Sequence, residues 1–302
     1  MASSSTLPPL STVLKGKDVE DPFNVYVERP LAYAFVWAVY RTPVTPNFVT
    51  VTALLCGVGA AGLFLVGTPA VMVLAGLLLW TSSILDGADG ILARAKRIHS
   101  QFGRALDGSA DMIVAATTVV AGFAHIWFKH HDPLYLWLAL PVVLLTLPHI
   151  YLYDFYKESF LTMTRPDHQS DGSPEKVAES LRGRKMGWLT RLAMTQLFIP
   201  FLQGQVTMAR FLNPFSLKSE LRRYQGSASA DLYQRNNAGP MKLWALISLA
   251  PHTYLLAACA VLDRVDLYLW IRLIPMNLLF LVAVFWQRRA TRKTLEALSV
   301  RV

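Results

Sequence analysis

Four aspartates, Asp86, Asp89, Asp107 and Asp111, crowd into the stretch DGADGILARAKRIHSQFGRALDGSAD. If residues 82 to 97 and 103 to 120 are helices, Asp86 and Asp89 fall at i and i+3, while Gly103, Asp107 and Asp111 recur every four residues. Each set then occupies one helix face, and two acidic faces can meet. Gly90, Ala93 and Gly103 keep bulky side chains away from the carboxylates, so a flat or anionic ligand can approach closely. Carboxylates clustered at a membrane edge repel one another and lose hydration, and they coexist only beside cations or protons. Two divalent ions supply the matching charge. Carboxylate oxygens are hard donors and favour magnesium or manganese over zinc, with calcium also compatible. A pair of such ions about 3.5 to 4 Å apart clamps the attacking and leaving oxygens in displacement at phosphorus, which makes phosphoryl chemistry the first expectation. Arg94, Lys96, Arg97 and Arg104 flank the aspartates and can receive phosphate charge that the metals leave unneutralised.

The elements that must hold these residues are membrane helices. The 302 residues are 53% hydrophobic and 16% charged, with a mean hydropathy of +0.35, too apolar for a soluble globular chain of this size. Six segments are long enough to span, at about 47 to 67, 70 to 94, 103 to 128, 133 to 156, 240 to 262 and 267 to 287. Residues 28 to 41, ERPLAYAFVWAVYR, are too short to cross and carry charge at both ends, which predicts a helix lying in the interface. The expected fold is therefore all-α and integral to the membrane, with six transmembrane helices and an N-terminal interfacial helix. Residues 1 to 46 form the N-terminal segment and 47 to 302 the membrane domain, with an insertion at 157 to 239. Within that insertion, 189 to 212 is apolar but interrupted by Arg191, Pro200 and three glutamines, and reads as interfacial or re-entrant rather than spanning. No charged stretch followed by an apolar core marks a cleavable signal in residues 1 to 27. Thr45 and Pro46 suit the cap and first turn of the first span. Cys56 and Cys259 fall inside apolar stretches and imply no disulfide.

The net charge of +9 marks cytoplasmic loops and contact with anionic lipid rather than nucleic acid. Lys and Arg concentrate in the loop after Ile91, between Lys157 and Lys242, and in the tail after Gln287. The positive-inside rule then places the acidic site at the cytoplasmic face of the cell inner membrane. Intramembrane carboxylates also serve cation- or proton-coupled transporters, whose sites usually lie near the midplane between repeats; here the aspartates stand at a membrane end beside a basic loop.

The pattern D-x2-D-G-x2-A-R-x8-G-x3-D-x3-D, matched by Asp86, Asp89, Gly90, Ala93, Arg94, Gly103, Asp107 and Asp111, resembles the signature of the CDP-alcohol phosphotransferases. That resemblance implies transfer of a substituted phosphate from a CDP-alcohol, such as CDP-diacylglycerol or CDP-inositol, to an acceptor alcohol with release of CMP. It assigns metal and pyrophosphate binding to Asp86, Asp89 and Asp107, with two ions, and makes Asp111 the general base and a shared metal ligand. Gly90, Ala93 and Gly103 match positions that leave room for the cytidine, and Arg94 one that binds or braces the nucleotide. The implied partners are the two alcohol substrates and the bilayer, with homodimerisation left open. The segment TPVTPNFVT resembles the family's approach to its first span, where Asn47 and Thr50 either face the nucleotide or serve the helix start. Together, 28 to 50 and 84 to 94 look most like the branch of di-myo-inositol phosphate phosphate synthases, without a fused cytidylyltransferase domain in these residues and with the long insertion added. Phosphatidylinositol-phosphate, phosphatidylglycerophosphate and aminoalcohol acceptors stay open.

For the acceptor, Arg104 is the phosphate contact expected from its place within a turn of Asp107. His149, with Tyr153 and Asp154, either lines the acceptor pocket or forms hydrogen bonds between helices. Arg272 is expected to snorkel from the outer end of its helix, and His252 to follow a kink at Pro251.

Overall fold

The computed structural model describes the backbone of residues 7–14, 16–98, 101–165, 177–179, 187–217 and 227–299. Every regular element among them is helical. A short α1 (Leu10–Val13) and a π-helical turn (Asn24–Glu28) lead into α2 (Arg29–Val39), followed by α3 (Pro46–Val66), α4 (Pro69–Lys96), α5 (Gln101–His130) and α6 (Pro133–Thr164). Then come α7 (Trp188–Leu192), joined by a π turn to α8 (Ile199–Leu212), α9 (Ser227–Ala245), α10 (Leu249–Val261), α11 (Val265–Leu273) and α12 (Pro275–Ser299). Six units are long and apolar enough to cross a membrane: α3, α4, α5, α6, α9 with α10, and α11 with α12. The chain is an integral membrane protein with the six-helix count read from its hydropathy. The helix at 188–212 is not among the six; it packs against α6 and α5. The sequence-defined insertion is narrower than expected, because α6 runs on to Thr164 and α9 starts at Ser227.

The helix ends follow local chemistry. Thr45 caps α3, its Oγ1 accepting from the Phe48 N–H at 3.3 Å, and Pro46 opens the first turn. Gly67 closes the helix at φ +69°, a conformation that a residue with Cβ resists. The two C-terminal spanning units are broken at Leu246–Ser248 and at Ile274–Pro275. Pro275 has no N–H to give, and the Nδ2 of Asn277 donates instead to the carbonyls of Arg272 and Leu273, both at 3.0 Å. Beside this break Arg272 is 8% exposed and its Nε donates to Thr146 Oγ1 at 2.6 Å. It points into the bundle rather than snorkelling, because Thr146 on α6 supplies an acceptor there. His252 bonds Tyr268 Oη at 3.0 Å, and the interruption near it lies at 246–248, ahead of Pro251.

Small residues bring α4 to its neighbours. α3 and α4 are the most extensively paired helices, and α10 packs on α4 from the other side. A Cβ on Gly57 would stand 2.5 Å from Val114 of α5, and one on Gly76 would stand 2.5 Å from the carbonyl oxygen of Ala257 in α10. Close backbone approach is a main source of helix association where water is absent. Apolar side chains face outward along the spans, with Leu55, Trp137, Leu140, Leu144 and Phe285 all exposed. On α2, Ala32 and Val36 are fully buried toward α4, while Trp37, and Tyr26 of the preceding π turn, face out, an amphipathic arrangement that suits the membrane interface. Gly76→Val should therefore force α10 away from α4 at a cost of about 1 to 3 kcal/mol. The measurement is thermal unfolding in detergent, where Gly62→Val, at a glycine with open space around it, should leave the midpoint near wild type.

Candidate active site

Asp86 and Asp89 lie in the last three turns of α4, and Asp107 and Asp111 on α5 directly after the connecting loop. One carboxylate oxygen from each of Asp86, Asp89 and Asp107 falls within 4.8 Å of the others. Asp111 is not part of this tight set, but its carboxyl comes within hydrogen-bonding reach of Asp86 and lies beside Asp107. The two acidic faces thus meet, as the i, i+3 and i, i+4 spacings require. Three converging hard-oxygen ligands with a fourth at their edge fit divalent magnesium or manganese better than a soft or tetrahedral nitrogen–sulfur site would.

The surroundings fix the carboxylates individually. Asp89 is 6% exposed, and the Thr50 hydroxyl on α3 donates to its Oδ2. Thr50 Oγ1 also lies 3.1 Å from the Pro46 carbonyl. Thr50 is therefore a positioning contact for Asp89, with Asn47 half-buried one turn earlier. Behind the site, Leu85, Ala88, Ile91, Leu92 and Ala95 of α4 pack into a core with Val49, Ala53, Ala32, Val36 and Val13. The apolar back of α4 is what holds its acidic front in place. Arg94 folds back over Gly90, where a Cβ would stand 3.3 Å from its Nη1, and its Nε donates to the Val13 carbonyl. Lys96 Nζ donates to the carbonyls of Thr42 and Val44 at 3.0 and 2.8 Å, tying the end of α4 to the loop ahead of α3.

Residues 43–163 match the family model described as CDP-alcohol phosphatidyltransferase, a span that takes in all four aspartates and the helices bearing them. This part of the chain is similar to the CDP-alcohol phosphatidyltransferases. Over 71 residues it is also 46% identical to a bifunctional IPC transferase and DIPP synthase of Thermococcus kodakarensis, a match covering 24% of this chain and 16% of that relative. The resemblance read from the aspartate pattern, and its leaning toward the di-myo-inositol phosphate branch, agree with both comparisons.

Within the matched region the residues expected for the nucleotide and for the acceptor are distributed unevenly. Gly103 and Ala93 are half-buried on the helices that carry the aspartates. The side chain of Arg104 lies outside the described residues. His149 is fully buried, stacked between His252 at 5.8 Å and Phe280 at 4.8 Å, and its Nε2 lies 3.3 Å from Asn277 Oδ1. That bond joins α6 to α12, the interhelical role that its sequence context left open. Tyr153 donates to the Val19 carbonyl at 2.9 Å, and Lys157 pairs with Asp154.

Sequence reasoning passed over the segment from Val19 to Arg29, which covers one side of α4. Arg29 is held by Glu20 through two bonds of 2.9 and 3.0 Å, and its Nη1 donates to the Gly87 carbonyl at 3.2 Å, in the field of Asp86. A Cβ on Gly87 would stand 2.7 Å from that Nη1, so only glycine admits the guanidinium. The one signal available in sequence is Glu-Arg-Pro at the start of an amphipathic helix, which reads as a plain helix entrance. Burial pushes the neighbouring Glu28 carboxyl up to about 7, with the Ser83 hydroxyl pulling the other way and Asp21 adding to the rise.

Two predictions follow from these contacts. Thr50→Val should free Asp89 and weaken cation binding by roughly 10-fold, read by calorimetry, while Thr50→Ser should retain it. For Glu28, the folded chain holds one more proton than the unfolded chain between about pH 4.5 and 7, so stability falls as pH rises through that window. Glu28→Gln should match wild-type unfolding at pH 4 and exceed it at pH 8, and identical pH profiles for the two proteins would contradict this.

Proposed function

We propose that this protein transfers the substituted phosphate of a CDP-alcohol to the hydroxyl of an acceptor alcohol and releases CMP. The observation that carries this reading is the convergence of Asp86, Asp89 and Asp107, with Asp111 at their edge, inside the matched domain. Two divalent ions, magnesium or manganese, held by these aspartates would neutralise the pyrophosphate and stabilise the charge that develops on the leaving CMP.

The chain's own residues have distinct parts. Asp111 stands at the edge of the tight set, where it accepts the proton of the acceptor hydroxyl as the new oxygen–phosphorus bond forms and the bond to CMP breaks. Thr50 holds Asp89 in register. Ala93 on α4 and Gly103 on α5 leave room for the cytidine, and Arg94, braced by Val13 and folded over Gly90, lies along one edge of it. Asn47, in the first turn of α3 near Thr50, lies toward the same nucleotide. Arg104, one residue beyond Gly103, meets phosphate charge on the acceptor.

The basic loops near the site put it at the cytoplasmic face of the inner membrane, where soluble nucleotides are found. The partial relative's name, IPC transferase and DIPP synthase, supports an inositol-based substrate over an aminoalcohol. The decisive assay is CMP release by the purified protein across a panel of CDP-alcohols and acceptors; no release from any of them would refute the proposal.

Chelation should abolish turnover and magnesium or manganese should restore it, since four clustered carboxylates demand compensating charge; full activity in excess EDTA would exclude this arrangement. Asp111→Asn should lower turnover by on the order of 10^2 to 10^4 with CDP-alcohol affinity changed only a few fold. Asp86→Asn should instead lose affinity. Calorimetry with magnesium, paired with CMP release at saturation, separates the two roles.

A further inference from the structure

Between the N-terminal segment and α4 lies a cleft lined by Asn24, Glu28, Arg29, Ser83, Asp86 and Ala250, among others. At 100° per residue, Ser83 and Gly87 stand roughly 60° and 100° around α4 from Asp86, on the side opposite Asp89 at roughly 60°. The cleft therefore opens onto the flank of Asp86 opposite Asp89. Glu28 is 3% exposed, yet its Oε1 has no hydrogen-bond partner among the described residues. An orphaned acceptor at such depth costs roughly 1 to 3 kcal/mol, a cost that a donor arriving with a ligand would remove.

The lining also states what kind of donor. Two carboxylates, Glu28 and Asp86, face the space, and its one cation, Arg29, is already held by both oxygens of Glu20. A phosphate would find no uncommitted cation there. Uncharged hydroxyl groups need none: they donate to carboxylates and exchange bonds equally well with the Asn24 amide and the Ser83 hydroxyl.

Resting on the transferase reading above, we propose that this cleft receives a polyol acceptor, with Glu28 and Asn24 binding hydroxyls that do not react while another hydroxyl is presented on the Asp86 side. Glu28 is then a specificity residue for acceptors bearing more than one hydroxyl. A single-hydroxyl acceptor would leave Oε1 unpaired and gain nothing from it.

The test uses the full chain in detergent with magnesium. Glu28→Ala should raise the KM for myo-inositol 1-phosphate or glycerol 3-phosphate, whichever supports CMP release, by about 10-fold to 100-fold, the worth of one hydrogen bond to a charged group. Glu28→Gln should recover part of the loss. The kcat and the affinity for the CDP-alcohol should stay within about twofold. An unchanged KM overturns the proposal, and so does a parallel loss of CDP-alcohol affinity, which would assign the cleft to the ribose hydroxyls of the nucleotide.

A second arm needs neither turnover nor a change at Glu28. In a Cys56→Ser, Cys259→Ala background, Ala250→Cys should be shielded from a small methanethiosulfonate reagent by myo-inositol 1-phosphate or glycerol 3-phosphate but not by CMP. Labelling unaffected by either polyol, in protein that still releases CMP, refutes the cleft and leaves the transferase reading intact. Absence of CMP release from every CDP-alcohol counts against the transferase reading, and the labelling result still decides whether the cleft binds polyols.

Discussion

Mutual repulsion among four carboxylates at the edge of a low-dielectric slab is the constraint that the rest of the protein answers. Left to themselves, Asp86, Asp89 and Asp107 would not stay within 4.8 Å of one another. Their backbones are fixed from behind: α4 is clamped by α3, α2 and α10, and α5 packs along α3. The close approaches at Gly57 and Gly76 help to set where α4 and α5 can lie. The charge problem is thus met by packing behind the acidic face.

What was legible in the sequence follows from how local each signal is. The spans are runs of about 20 apolar residues, and the acidic faces are fixed by spacings of three and four within single helices, so both can be read without knowing which helices touch. The cap at Thr45 and stop at Gly67 are equally local. Long-range partners were not legible. Thr50 bonds Asp89 across 39 positions, and nothing near Thr50 distinguishes a helix-start hydroxyl from an aspartate ligand. Arg272 likewise reads as a snorkelling cation until Thr146, 126 positions away, is known to face it.

The N-terminal segment shows the same limit more sharply. Its polar composition suggests a solvated tail, yet Glu20, Asp21, Glu28 and Arg29 are drawn onto the bundle by partners on α4 and α10. Glu20 and Arg29 satisfy each other, and Asp21 accepts from Tyr254 at 3.2 Å. Burying such groups is tolerable only because almost every one finds a partner. Glu28 Oε1 is the exception, and Glu28 is a residue that lines the cleft.

The attachment of this segment also dictates an order of assembly. The hydroxyls that fasten residues 19 and 21, Tyr153 and Tyr254, lie 134 and 233 positions downstream, on the fourth and fifth spanning units. Arg29 can reach the Gly87 carbonyl once α4 is in place, but these two bonds must wait for later spans. The wall that the segment contributes beside Asp86 is therefore fully fastened only after the fifth unit has joined the bundle.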